Sequence, residues 1–236
     1  MKNVIAAVML GTILSGPVLA GPVGEFKTTY RETYARYRAA LFQTNTGQAE
    51  ALAKAMTAFA GAWDAFAGRY GETPPPTFSE DPAWSDTMSA VSAAIRRAGE
   101  QVAAGELPAA HETLERVRDL LGEMHARNGI ETFSDRMNAY HAAMEQVLVM
   151  DLSVLDADTL GLLRERAAVL SFLAGDLLAR PPKDAAGNAD YAKLSKAFEA
   201  SVAAVLDAAR AGDREAVRAA VAGLKKPYAR LFVKFG

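Results

Sequence analysis

The sequence predicts an all-α protein, built as two tandem up-down-up-down four-helix bundles behind a cleaved signal peptide. Three observations carry that prediction. Apolar residues step by fours and threes along almost the whole chain, which is helical periodicity and not the alternation of strands. Ala and Leu dominate while β-branched runs are scarce, and Gly, Pro and Asn divide the chain beyond the leader into eight segments. The composition is that of a globular domain pair: 236 residues, 50% hydrophobic, 23% charged and net charge −2, which excludes a disordered chain. With 26 Lys+Arg against 28 Asp+Glu there is no electrostatic footprint for nucleic acid or an anionic membrane surface.

The first twenty residues read as a secretory signal. Lys2 supplies the positive start, Val4 to Leu14 an apolar run too short to span a bilayer, and Val18-Leu19-Ala20 the small residues of a cleavage site after Ala20. The chain has no Cys, so a lipid anchor is excluded, and no later stretch reaches 18 consecutive apolar residues. The expected location is the periplasm, with the mature chain not embedded in a membrane.

The first helical segment puts Phe26, Tyr30, Thr33, Tyr37 and Leu41 on one face, and the second puts Leu52, Met56, Phe59, Trp63, Phe66 and Tyr70 on one. Asn45-Thr46-Gly47 separates them. After Thr73-Pro74-Pro75-Pro76 the third segment runs through Trp84, Met88, Val91, Ile95, Ala98 and Val102. Ala104-Gly105 then precedes the fourth, with Leu107, Ala110, Leu114, Val117, Leu121 and Met124. A second set of four completes the chain. Its stripes are Phe133, Met137, Tyr140, Met144 and Val147; Leu160, Leu163, Ala167, Leu170 and Leu177; Tyr191, Leu194, Phe198, Val202 and Val205; and Val217, Val221, Leu224, Tyr228, Leu231 and Phe235. Pro227 should kink the last helix near Leu224.

A shift of 107 residues lays Phe26 on Phe133, Pro74-Pro75 on Pro181-Pro182, Trp84 on Tyr191 and Ala104-Gly105 on Ala211-Gly212. Only 8 of the 56 pairs between 74–129 and 181–236 are identical, so register and breakers carry the repeat. The expected division is residues 1–20 as signal, 21–129 as the first bundle and 130–236 as the second. Asn128-Gly129 would end the first bundle, and Thr132 or Ser134 would cap the next helix. A single longer eight-helix bundle is the structural alternative.

Without Cys, any metal site falls to His, Met and carboxylates. All three histidines lie between 111 and 141, and Met124, Met137, Met144 and Met150 lie between 124 and 150. Met137, His141 and Met144 are spaced i, i+4, i+7 on one helical stripe, and His125 stands one turn before the break between the halves. Imidazole with thioethers suits a soft ion such as Cu(I), so His125, Met137, His141 and Met144 form the candidate metal set for copper or iron. The competing reading keeps Met137 and Met144 as core residues with His141 flanking them. His111 lies about 21 Å from His125 along one helix and cannot share an ion with it. Paired with Glu112, His111 reads either as a surface ligand pair or as exposed helix face.

The pattern Thr73-Pro74-Pro75, Ser79-Glu80-Asp81, a third helix, Ala104-Gly105-Glu106 and a fourth helix reaching His125 resembles the cytochrome b562 family of periplasmic four-helix bundles. The resemblance implies non-covalent haem b, with His125 at the family's histidine position as the cofactor-binding residue. The family's methionine has no counterpart, because the first helix carries Tyr30, Tyr34 and Tyr37 instead. The second half has Met137 and Met144 on its first helix but Phe232 where a histidine would stand. Neither half holds a full axial pair, which ranks haem behind a copper or iron ion.

Glu-x-x-His, His-Glu-x-x-His, Gly-x-Ser-x-Gly, phosphate-loop and dinucleotide motifs are all missing from the sequence, which argues against an enzyme. The leading expectation is a periplasmic carrier or electron-transfer partner that holds a metal or haem and meets a periplasmic or inner-membrane redox or transport protein. The alternative is a metal-free interaction or ligand-binding module.

Overall fold

The computed structural model describes residues 21–236, so the signal-peptide expectation lies outside the described residues. Every regular element among them is helical: α1 (Pro22–Gln43), α2 (Ala49–Tyr70), α3 (Trp84–Ala103), α4 (Leu107–Arg127), α5 (Phe133–Leu148), α6 (Ala157–Ala179), α7 (Ala189–Ala211), α8 (Arg214–Gly223) and α9 (Lys225–Phe235). Short 3-10 turns at Pro76–Phe78 and Lys183–Ala185 stand 107 residues apart, at the repeat offset of the sequence. The helix termini obey local chemistry. Asp156, Asn188 and Asp213 accept N–H groups at the starts of α6, α7 and α8, and Gly105, Gly129 and Gly212 take the positive φ that ends a helix. Thr132, one of the two expected caps, starts α5 with a reciprocal capping box to Asp135. The expected kink falls at Leu224: α8 stops at Gly223 and α9 starts at Lys225, with Leu224 between them still in the right-handed helical region, and Pro227 cannot donate to the carbonyl four residues back.

Helix α1 packs on α2 and α4, α2 on α3, and α3 on α4; in the second half α5 packs on α6, α8 and α9, and α7 on α6, α8 and α9. The first core centres on Phe26, Phe66, Tyr70, Phe78 and Trp84, whose rings contact Phe26 at centroid distances of 5.2–6.3 Å. The Trp84 indole N–H donates to the Tyr70 carbonyl at 2.8 Å, which ties the proline-rich loop to the end of α2. Asp81 in that loop accepts from Arg127, Asn128 and the Ala83 N–H, so the end of α4 is held against the start of α3. The second core holds Tyr140 against Phe198 and Tyr228, with Met137 and Met144 fully buried beside them.

Helix α1 departs from the single-stripe expectation. It buries Tyr34 and Arg38 as well as its predicted face, because it packs against α9 of the other half. Arg38 Nη2 donates to the Lys234 carbonyl at 3.5 Å, and buried residues of both halves belong to one continuous hydrophobic cluster. Helices α1, α4, α5 and α9, the first and last of each half, therefore surround a seam.

Candidate functional site

The seam is polar on both sides. Helix α4 carries His111, Glu115, Arg118 and His125 at helical spacing, and α5 carries Asp135, Asn138, His141 and Glu145. The five-residue turn between these helices reverses the chain, so the two polar stripes run antiparallel and meet at mirrored positions about Ile130. Nearest the turn, the His125 Nδ1–H donates to the Asp135 carboxylate at 2.9 Å. In the middle, Asn138 Nδ2 lies 3.5 Å from the Tyr34 hydroxyl of α1. Further out, Arg118 Nη1 donates to His141 Nδ1 at 3.1 Å and reaches Glu115 at 3.2 Å.

At the outer end the charges converge. His111 Nε2 is 3.6 Å from Glu115 Oε1, His141 Nε2 is 3.3 Å from Glu145 Oε1, and Lys225 Nζ of α9 is 3.7 Å from the same Glu145 oxygen. His111, Glu115, Arg118, His141 and Lys225 line a cavity of about 50 Å³, closed on its apolar side by Leu41, Phe42, Tyr228 and Phe232. The Tyr228 ring also stacks on His141 at 5.3 Å.

His111 Nδ1 lies 2.6 Å from the Thr44 hydroxyl, which also reaches the Leu41 carbonyl at 2.6 Å, and 3.3 Å from the Asn45 side-chain amide. A guanidinium donating to His141 Nδ1 places the ring N–H on Nε2, pointing at Glu145. Burial holds both imidazoles below their ordinary pKa; Arg118 and Lys225 push the same way, against Glu115 and Glu145. Burial also raises the Asp135 carboxyl, but hydrogen bonds from His125 and Thr132 outweigh it and leave the group below the usual carboxylate value. The hydroxyls of Tyr30 and Tyr37 and the Asn138 Oδ1 are buried without a hydrogen-bond partner among the described residues. An unmet buried polar group costs about 1–3 kcal/mol, so such a seam favours occupancy by water or ligand.

The residues expected to form a metal set are distributed through this architecture. Met137 and Met144 are part of the second hydrophobic core, His141 faces the cavity with its N–H forward, and His125 is engaged by Asp135 at the far end of the seam. His111 pairs with Glu115 and Thr44 instead of Glu112, and it is half-buried instead of lying on an open helix face. Among the described residues, no group of three or more His, Asp or Glu side chains is arranged to hold a metal ion. A haem face on His125 meets a steric obstacle: the residue is 4% exposed, with the Tyr30 and Phe78 rings at 5.4 and 6.3 Å. A porphyrin could lie there only if those rings moved, so the residues present do not fit haem. Glu115, Arg118, Asp135, Glu145 and Lys225 escaped the sequence reading because charged residues at helical spacing ordinarily mark a solvated face. Comparison with protein-family models, with curated proteins and with solved structures gave no match.

Proposed function

We propose that this chain is a periplasmic ligand-binding module of two tandem four-helix bundles, whose site is the cavity between the halves. Its ligand would be a single small ion or a polar molecule of a few heavy atoms. The observation that carries this reading is the convergence of two imidazoles, a carboxylate, a guanidinium and an ammonium on about 50 Å³ of space shared by both halves. Such concave clusters of perturbed titratable groups are the default location of a binding site. The wall offers donors from His141, Arg118 and Lys225 and an acceptor from Glu115, so it suits a ligand that both donates and accepts.

The experiment is thermal unfolding of the purified protein with formate, chloride, ammonium, Zn²⁺, Cu²⁺, Cu(I) under reductant, Fe²⁺ and haemin. A ligand that binds the native state raises the unfolding temperature in step with RT ln(1 + [L]/Kd). The expected result is a saturable rise with one small ion or molecule, lost in the double variant His111→Ala, Lys225→Ala. No rise with any of them, or a rise unchanged in that variant, removes the reading.

A second reading, copper or iron binding with an electron-transfer or carrier role, is favoured by one observation. The His125 Nδ1–H is committed to a carboxylate, Asp135, and such a carboxylate–histidine pair is the outer partner typical of a metal-ligating histidine. In the same titration, a copper or iron effect abolished by His125→Ala but kept in the cavity variant would favour this reading over the first.

A further inference from the structure

The cavity between the halves has two unlike walls. Helices α4 and α5 supply His111, Glu115, Arg118 and His141, while α1 and α9 supply apolar surface from Leu41, Phe42, Tyr228 and Phe232. Lys225, at the start of α9, precedes Tyr228 and Phe232 at spacings of three and four, so a cation leads into apolar surface along one helix face. The charges on the wall do not cancel. Arg118 and Lys225 are positive, Glu115 is the only carboxylate lining the cavity among the described residues, and burial favours neutral imidazoles, which leaves one positive charge in excess. Arg118 commits Nε to Asp119 and Nη1 to Glu115 and His141, but its Nη2 has no hydrogen-bond partner among the described residues. Lys225 Nζ stands 3.7 Å from Glu145, beyond hydrogen-bond reach, so its N–H groups are not committed there.

We infer that the ligand of this cavity is a monocarboxylate of two or three carbons, with its carboxylate on Arg118 and Lys225 and its alkyl group against Tyr228 and Phe232. The inference rests on the cavity being the binding site, and it adds the sign of the ligand's charge and the place of its carbons. Uncommitted donors on two cations call for an anionic acceptor, and charge-assisted hydrogen bonds are the strong ones. The apolar wall calls for a hydrocarbon part, which an inorganic anion lacks and a dicarboxylate replaces with a second charge. Size sets the length of the tail. A water-sized occupant needs about 10–15 Å³ of such space, so a cavity of about 50 Å³ takes about three to five heavy atoms. Acetate and propionate fall within that range.

The test is calorimetric titration of the purified protein, at constant ionic strength, with formate, acetate, propionate, butyrate, acetamide and ethylammonium. Acetate should bind once per chain, about fourfold tighter than formate for its one added buried methyl group, and butyrate should bind more weakly than propionate. Acetamide, which keeps the shape without the charge, and ethylammonium, which reverses the charge, should each bind at least ~10-fold more weakly than acetate. Lys225→Gln, at a side chain 53% exposed, should weaken acetate at least ~10-fold with helix content unchanged by circular dichroism. Acetamide or ethylammonium equal to acetate, acetate no tighter than formate, or acetate binding unchanged in Lys225→Gln overturns the inference. If no carboxylate binds while another ion of the unfolding series does, the monocarboxylate falls and the cavity reading stands. If neither experiment finds a ligand, both fall.

Discussion

At the scale of single residues, the seam is organised by where protons sit. His111 and His141 are held neutral by burial, so the unfolded chain binds protons first as the pH falls through the ordinary imidazole value near ~6.5. Their part of the stability is present above that value and declines below it, until the lower folded values are passed. Asp135 acts at more acid pH. Its folded pKa is depressed, so its contribution is intact above ~3.9 and is lost as pH falls through the folded value. Denaturant melts between pH 8 and pH 3 should therefore show two declines. Replacing both His111 and His141 with Gln should flatten the one between about pH 6.5 and 5 and leave the one below pH 4 in place. A profile unchanged between 6.5 and 5 would show that the imidazoles are not its cause. At the alkaline end the buried tyrosines behave oppositely. Burial raises Tyr34 to about 12, so its neutral form favours the native state and that support fades once unfolded tyrosines ionise above ~10.

At the scale of elements, α4 shows what the sequence disclosed and what it hid. Its inward face, Leu114, Val117, Leu121 and Met124, keeps the same step as every other helix, so its existence and its core side were readable. Its other regular spacing, His111, Glu115, Arg118 and His125, obeys the same period but in polar residues, and a polar stripe alone cannot be told from a wet surface. The missing signal was relational. Asp135, His141 and Glu145 on α5 mirror His125, Arg118 and Glu115 across the turn, and opposite polar residues at mirrored distances indicate contact. The expected role of Met137 and Met144 as ligands competed with a core role at the same positions, and spacing could not separate the two. Gly122 lies in the α4 stripe too. A Cβ there would stand 3.9 Å from Asp135 Oδ1, an ordinary contact, and glycine in a helix interior is costly. Gly122→Ala should therefore stabilise the protein by about 0.5–1 kcal/mol in urea melts. A loss of stability would mean that the seam between α4 and α5 tolerates no added volume.

At the scale of the whole molecule, the question is whether the two halves are independent. The 3-10 segments at Pro76–Phe78 and Lys183–Ala185 and the glycines Gly105 and Gly212 keep the offset of 107, and helices pack both within residues 21–129 and within 130–236. Yet α1, packed on α9 of the other half, buries Tyr34 and Arg38, and His125 would lose its Asp135 partner if the halves parted. Separating them would also leave Arg118 and Glu115 without His141, and the hydrophobic cluster that runs through both halves would be cut. A seam built from buried polar groups is stable only when all its members are in place, which makes the halves unfold together. Calorimetry should accordingly give one transition, with the van't Hoff and calorimetric enthalpies equal. Its enthalpy should be about 150 kcal/mol for the residues from Gly21 to Gly236, at about 0.7 kcal/mol per residue. Two resolved peaks would mean that the seam is a loose contact. In that case the cavity between the halves would open and close freely and could not present its imidazoles and charged groups in a fixed arrangement.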